Sequence, residues 1–288
     1  MAGMITALTA LTMGLGQQTD TLIAVQQGTR LDVSNFGGKI VVKAWSQNAV
    51  RVHAQPSSGD VIEVALASSV LSVKTTSPRG MPHDVEYIIM APAWMALNLT
   101  GVHSDIDVDG SQAAVRAETV KGAVNCRGGT GYISLKSVEG AIALHDAKGR
   151  VEVNSVSDDI SLIDVSGDVS AATVSGDIEL EGIQSSRVDV STVSGDVAYA
   201  GTIADGGHYR LATHNGDLKV SVPEKTNATI SVSTFNGEFD SSFPVGAADT
   251  GTHRFSFTVG SGSAGIELET FNGDIALRRP GEMKDEAH

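Results

Sequence analysis

The sequence predicts an all-β solenoid, and three observations carry that prediction. A six-residue phrase recurs at near-fixed spacing, an apolar residue follows each copy on strand periodicity, and no window offers a long 3.6-residue pattern. The phrase is TVSGDI at residues 173–178 and TVSGDV at 192–197, then THNGDL from Thr213, TFNGEF from Thr234 and TFNGDI from Thr270. A catalytic motif is needed once. A motif required at every level of a stack must be repeated.

With the glycine of the phrase as reference, Gly122, Gly131, Gly140, Gly149, Asp158, Gly167 and Gly176 fall nine residues apart. Ser104 stands 18 residues before Gly122, and the step lengthens after Gly176 to Gly195, Gly216, Gly237 and Gly273. Turn positions are therefore assigned to Gly38, Gly122, Gly140, Asp158, Gly176, Gly195, Gly216, Gly237 and Gly273. Glycine adopts positive φ cheaply, and Asp158 is expected to do the same because aspartate tolerates the left-handed region. Two residues past the reference comes the expected core: Ile106, Val124, Ile142, Ile160, Ile178, Val197, Leu218 and Ile275. Four past, apolar residues mostly recur, with Cys126 where leucine is usual and Ser241 breaking the pattern. Such alternation is that of a strand with one face inward.

Thr119, Ser137, Ser155, Thr173, Thr192, Thr213, Thr234 and Thr270 stand three before the reference on one series, while Gly128, Asp146 and Asp164 stand there on the interleaved one. One full coil is thus about 18–21 residues, with two short strands and two turns. Coils cannot bury their own apolar edges and stack at roughly 4.8 Å. The Thr or Ser is expected to hydrogen-bond the N–H groups of its own turn.

Along the chain, residues 1–16, MAGMITALTALTMGLG, read as an apolar signal-peptide-like leader that lacks a basic start. Residues 20–278 read as one solenoid domain: a less regular β part over 20–100, regular coils over 101–240, and a capping region over 241–278. In the cap, THRFSFTV and GIELETF are expected to pair as a hairpin that shields the end of the stack. Residues 279–288 read as a solvated tail.

Composition limits the function classes. A formal net charge of −14 disfavours nucleic acid and anionic membrane surfaces as partners. One cysteine excludes an internal disulfide framework and any multi-cysteine metal site. The stretch YIIMAPAWMAL is too short for a membrane helix, so no transmembrane segment is expected in the mature chain.

The succession NFGGKIVVKAW, YIIMAPAWMALNL, repeated TVSGD[IV] and closing TFNGDIAL resembles the bacterial putative-adhesin family of β-solenoid domains of unknown function, over roughly residues 25–278. The resemblance implies a right-handed parallel β-helix-like body on exported or membrane-associated bacterial proteins. It transfers no catalytic residues.

Four features of the sequence bear on chemistry. Asp105, Asp159, Asp177, Asp196, Asp217, Glu238 and Asp274 form an acidic ladder that could hold Ca²⁺, but each is expected to accept N–H groups of its own turn. Val120, Val138, Val156, Val174, Val193, His214, Phe235 and Phe271, two before the reference, would form an outward apolar stripe for a protein or glycan if the neighbouring Thr points inward. The favoured expectation is that the corner tucks them inside, because a long exposed stripe invites aggregation. His208 and His214 read as exposed singles, and Cys126 as a small buried hydrophobe. No catalytic, cofactor-binding or metal residue is assigned. The expected function is a non-catalytic, exported or cell-envelope binding or structural module with an unidentified protein or glycan partner. The alternative is a polysaccharide lyase or hydrolase, which would need paired acids and longer loops than the tight corners between Gly122 and Gly195 supply.

Overall fold

The structure is a computed structural model that describes residues 9–12, 19–56, 60–78, 80–245 and 254–282. It is all-β and β-solenoid-like, with no α-helix among the described residues. The chain divides into two compact units, Met1–Gly140 and Ala141–His288. Of the expected leader, Thr9–Thr12 form a strand antiparallel to Val61–Ala67 and the rest lies outside the described residues, as does the tail beyond 282.

In the first unit, the long strand Arg30–Trp45 pairs in parallel with Ala96–Ser111, Val70–Thr76 and Val85–Pro92. The register places Ile40 opposite both Tyr87 and Ile106, and Ile106 opposite Val124. All four are buried. The strand Thr19–Ala24 pairs antiparallel with Ala49–Gln55, which pairs antiparallel with Val85–Pro92.

The second unit is a stack of coils in parallel register. Ile142 lies opposite Ile160, Ile160 opposite Ile178, Ile178 opposite Val197, and Val197 opposite Leu218. Leu218 lies opposite Ile275, and all six are at most 1% exposed. Val151, Val169, Val188 and Tyr209 form a second inward column on the facing wall.

The last coils do not stack in chain order. Ala264–Asn272 pairs in parallel with both Val197–Ala212 and Ala228–Asn236, and Ile275–Arg278 lies between Leu218–Ser221 and Phe239–Ser241. The Gly273 level is therefore inserted between those of Gly216 and Gly237. The expected hairpin is not formed, because Ala228–Asn236 lies between its two strands, parallel to one and antiparallel to the strand Arg254–Val259. Phe239, Phe255 and Phe257, with centroids 5.3–6.3 Å apart, lie together at this end of the core.

The corner glycines have a second requirement besides dihedral freedom. Gly122, Gly140, Gly176, Gly195, Gly216 and Gly273 have φ between 139° and 154°. A Cβ at Gly195 would collide with the carbonyl oxygen of Gly176, one at Gly216 with that of Gly195, and one at Gly273 with that of Gly216. Neither Asp158 nor Gly237 has positive φ. Aspartate's tolerance of the left-handed region is used on the interleaved series instead, at Asp146 (φ 58°) and Asp164 (φ 54°), in step with Gly128 and Gly182.

Substitution Gly195→Ala is expected to cost several kcal/mol in urea denaturation, since backbone must move to admit the methyl group. Gly206→Ala, whose φ is also positive but whose Cβ would meet nothing within 4 Å, should cost only about 1–2 kcal/mol. Equal losses would show that dihedral strain, and not coil contact, dictates the corner glycine.

Candidate functional site

The repeated phrase wires each coil to the next. The Thr192 hydroxyl donates to the Gly176 carbonyl at 3.1 Å, Thr213 to Gly195 at 2.9 Å, Thr270 to Gly216 at 3.0 Å and Thr234 to Gly273 at 3.3 Å. Thr173 donates likewise to Asp158, and in the first unit Thr119 to Ser104 and Ser137 to Gly122. These hydroxyls reach a carbonyl of the coil beneath in the stack and not the N–H groups of their own turn.

The acidic ladder also works between coils. A carboxylate oxygen of Asp159 accepts the Asp177 N–H, Asp177 that of Asp196, Asp196 that of Asp217, Asp217 that of Asp274, and Asp274 that of Glu238, each at 2.8 Å. Asp105 accepts the Ala123 N–H at 2.9 Å in the first unit. The expectation that each acid serves its own turn is thus corrected by one coil. Among the described residues no group of three or more His, Cys, Asp or Glu is placed to hold a metal.

With Thr turned inward and buried, strand alternation turns the next residue out. Val120, Val138, Val156, Val174, Val193, Phe235 and Phe271 are 41–55% exposed, and His214 is exposed too. The tucked-in expectation is therefore overturned. In the second unit the stripe runs Val156, Val174, Val193, His214, Phe271, Phe235. The register Ser175–Ser194–Asn215–Asn272 of the adjoining residues, continued by Asn236, holds it in line. His214 stacks on Phe271 at 4.9 Å and Phe271 on Phe235 at 4.9 Å with an interplanar angle of 4°. Beside them the amides interlock, Asn272 donating to Asn215 at 2.7 Å and Asn236 to Asn272 at 2.8 Å.

A groove of about 630 Å³ runs along the aromatic end, lined by Thr192, Arg210, His214, Phe235, Arg254, Glu269 and Phe271 among others. It continues onto the neighbouring wall, where His208 and Arg187 line a hollow of about 250 Å³ together with Arg210. Arg210 lies 3.3 Å from Glu269 and 3.9 Å from Asp189. His214, expected both as a member of the stripe and as an exposed single, is exposed and stacked on Phe271.

Cys126 is buried and its thiol contacts the Gly128 carbonyl at 3.7 Å. Burial pushes that thiol up to about 12. In the first unit the fully buried Asp60 is raised by desolvation, yet the His83 main-chain N–H, Ser77 and the His83 ring hold it below the ordinary carboxylate range.

Residues 149–278 match the family model described as Toastrack DUF4097, and the family resemblance read from the phrases is borne out for that segment. No curated protein matches the chain. A "putative cell adhesion protein" from Clostridium sporogenes ATCC 15579 is 11% identical, with a TM-score of 0.25, over 91% of this chain and 100% of that one. A "putative lipid binding protein" from Parabacteroides distasonis ATCC 8503 is 8% identical, with a TM-score of 0.35, over 92% and 97%. A "putative adhesin" from the same organism is 9% identical, with a TM-score of 0.23, over 92% and 97%.

Two outcomes are expected. The double variant Val174→Ser/Val193→Ser should change unfolding free energy by no more than about 0.5 kcal/mol per site, whereas Ile178→Ala should cost about 2–5 kcal/mol. Cys126 in the native protein should resist iodoacetamide at pH 8, several units below its titration, and react on unfolding in urea.

Proposed function

With residues 149–278 forming a Toastrack DUF4097 segment, we propose that the protein is a non-catalytic binding module of the bacterial cell envelope. In this reading it is exported, it is built as one right-handed parallel β-helix-like solenoid, and it holds its partner on the corner stripe. The observation that carries the reading is the exposure of that stripe beside a buried row of threonines. Folding alone does not require large apolar groups there, since Ser or Asn occupies the next position on every coil from Val156 to Phe235. Contiguous exposed apolar surface of this kind is a mark of an interaction site. The acids a glycosidase would use are engaged as acceptors for the next coil, which favours binding over hydrolysis.

The test is a binding screen of the full chain against envelope polysaccharides and envelope proteins. It would be run beside the variant Val174→Ser/Val193→Ser/Phe271→Ser. The account expects a ligand whose affinity falls at least tenfold in the variant, with no reducing ends released from any polysaccharide. Undiminished binding by the variant, or turnover of a polysaccharide, would overturn it.

A further inference from the structure

Three features lie outside what has been derived. The buried Asp60 is a single carboxylate whose Oδ2 accepts the His83 main-chain N–H at 2.8 Å and meets the His83 ring at 3.1 Å, while its Oδ1 has no hydrogen-bond partner among the described residues. The mixed-charge wall around Arg210 is self-neutralised by Asp189 and Glu269. The third feature, the acidic row that borders the stripe, carries furthest.

Three residues after each stripe position, on the same outward corner, stands an acid: Asp159, Asp177, Asp196, Asp217, Asp274 and Glu238. Each corner reads inward Thr or Ser, an outward Val, His or Phe, Ser or Asn, Gly (Asp158 in the first), then acid, so the acid lies within about 10 Å of the stripe along the chain. Among the described residues, no lysine or arginine forms an ion pair with any of the six. Arg187, Arg210 and Arg278 pair instead with Asp168, Asp189, Glu269 and Asp240, and Arg279 with Glu224 and Glu282. Neighbouring carboxylates one coil apart repel by about 1 kcal/mol or less per pair in water. The fold therefore keeps a line of uncompensated negative charge parallel to a line of exposed apolar side chains.

We propose that this double line docks a cationic amphipathic α-helix laid along the stack axis, apolar face on the stripe and a Lys/Arg flank on the acidic row. The reading rests on the stripe being the contact surface. Charge selects this occupant, because a second copy of a chain with net charge −14 would bring like rows together, and an anionic membrane or nucleic acid would be repelled. Repeat length selects the helix. Side chains on one helical face recur every 5.4 Å, close to the coil spacing of about 4.8 Å, whereas same-face residues of a strand recur at about 6.8 Å. Six levels span roughly 24 Å, the length of about 16 helical residues. The groove of about 630 Å³ beside Phe271 offers a seat for one bulky apolar side chain of that helix.

The test uses a synthetic 16-residue peptide with leucines on one face and lysines flanking them. Two controls accompany it: its glutamate counterpart, and a version carrying two central prolines. Binding to the full chain is read by fluorescence anisotropy of the labelled peptide. The lysine peptide should bind, weakening at least tenfold between 50 and 500 mM NaCl, while both controls bind at least tenfold more weakly. Asp177→Asn/Asp196→Asn/Asp217→Asn, which keeps an oxygen to accept each neighbouring N–H, should weaken it at least tenfold without altering the thermal midpoint. Equal affinity for the glutamate peptide, or no loss in the Asn variant, overturns the charge assignment. Equal affinity for the proline peptide overturns the helix. Concentration-dependent dimerisation abolished by Val174→Ser/Val193→Ser would assign the face to a second copy instead. Absence of peptide binding, with the envelope ligand still lost in the stripe variant, would reject the helix and leave the contact surface standing.

Discussion

The carbonyl oxygen of the corner glycine is the point on which the second unit depends. It accepts the hydroxyl of the Thr on the next coil, and the next glycine passes so close above it that any Cβ would collide. One residue further on, a carboxylate takes the next coil's N–H. The backbone ladder crosses each corner at Ser175, Ser194, Asn215 and Asn272 but leaves out the glycine carbonyl and the N–H that follows it, and an unpaired buried backbone group costs roughly as much as a lost hydrogen bond. The phrase supplies those missing partners from side chains. Thr, Gly and Asp are accordingly fixed together, and the positions between them are left free.

That freedom explains where the surface chemistry sits. Thr must point inward, so the residue after it points out by strand alternation alone. In the lower coils that residue is Val, and in the upper ones His or Phe, whose rings repeat at 4.9 Å because the backbone does. An isolated strip one residue wide, bordered by carboxylates, is also protected from the edge-to-edge association that a broad apolar face would invite. The charge beside these residues offsets the aggregation that would otherwise favour burying them.

The solenoid character was legible because its cause is periodic: glycines nine residues apart and aliphatics two beyond them leave little but a stack of short strands. What was not legible has physical reasons too. The insertion of residues 264–278 between two earlier coils leaves no mark, since TFNGEF and TFNGDI carry the same wiring and either can lie on THNGDL. Whether a hydroxyl or carboxylate bonds within its turn or across coils depends on stacking distance, which spacing along the chain does not contain. Asp158 follows the count but not the dihedral, while Asp146 and Asp164, on the less conspicuous series, adopt the left-handed conformation. The aromatic ladder was hidden because His214, Phe271 and Phe235 are neighbours in stacking order and not in chain order.

Side chains that bond one coil to the next are most directly tested at single amides. In native-state hydrogen exchange, the N–H groups of Asp177, Asp196, Asp217 and Asp274 should be protected like those of the wall strands, although they sit at exposed corners. Asp177→Ala should release the Asp196 amide selectively and leave the Asp177 amide, bonded to Asp159, protected. Fast exchange of all four amides in the unmodified protein, or no change at Asp196 in the variant, would mean the corners are not wired together and would contradict the account at its base.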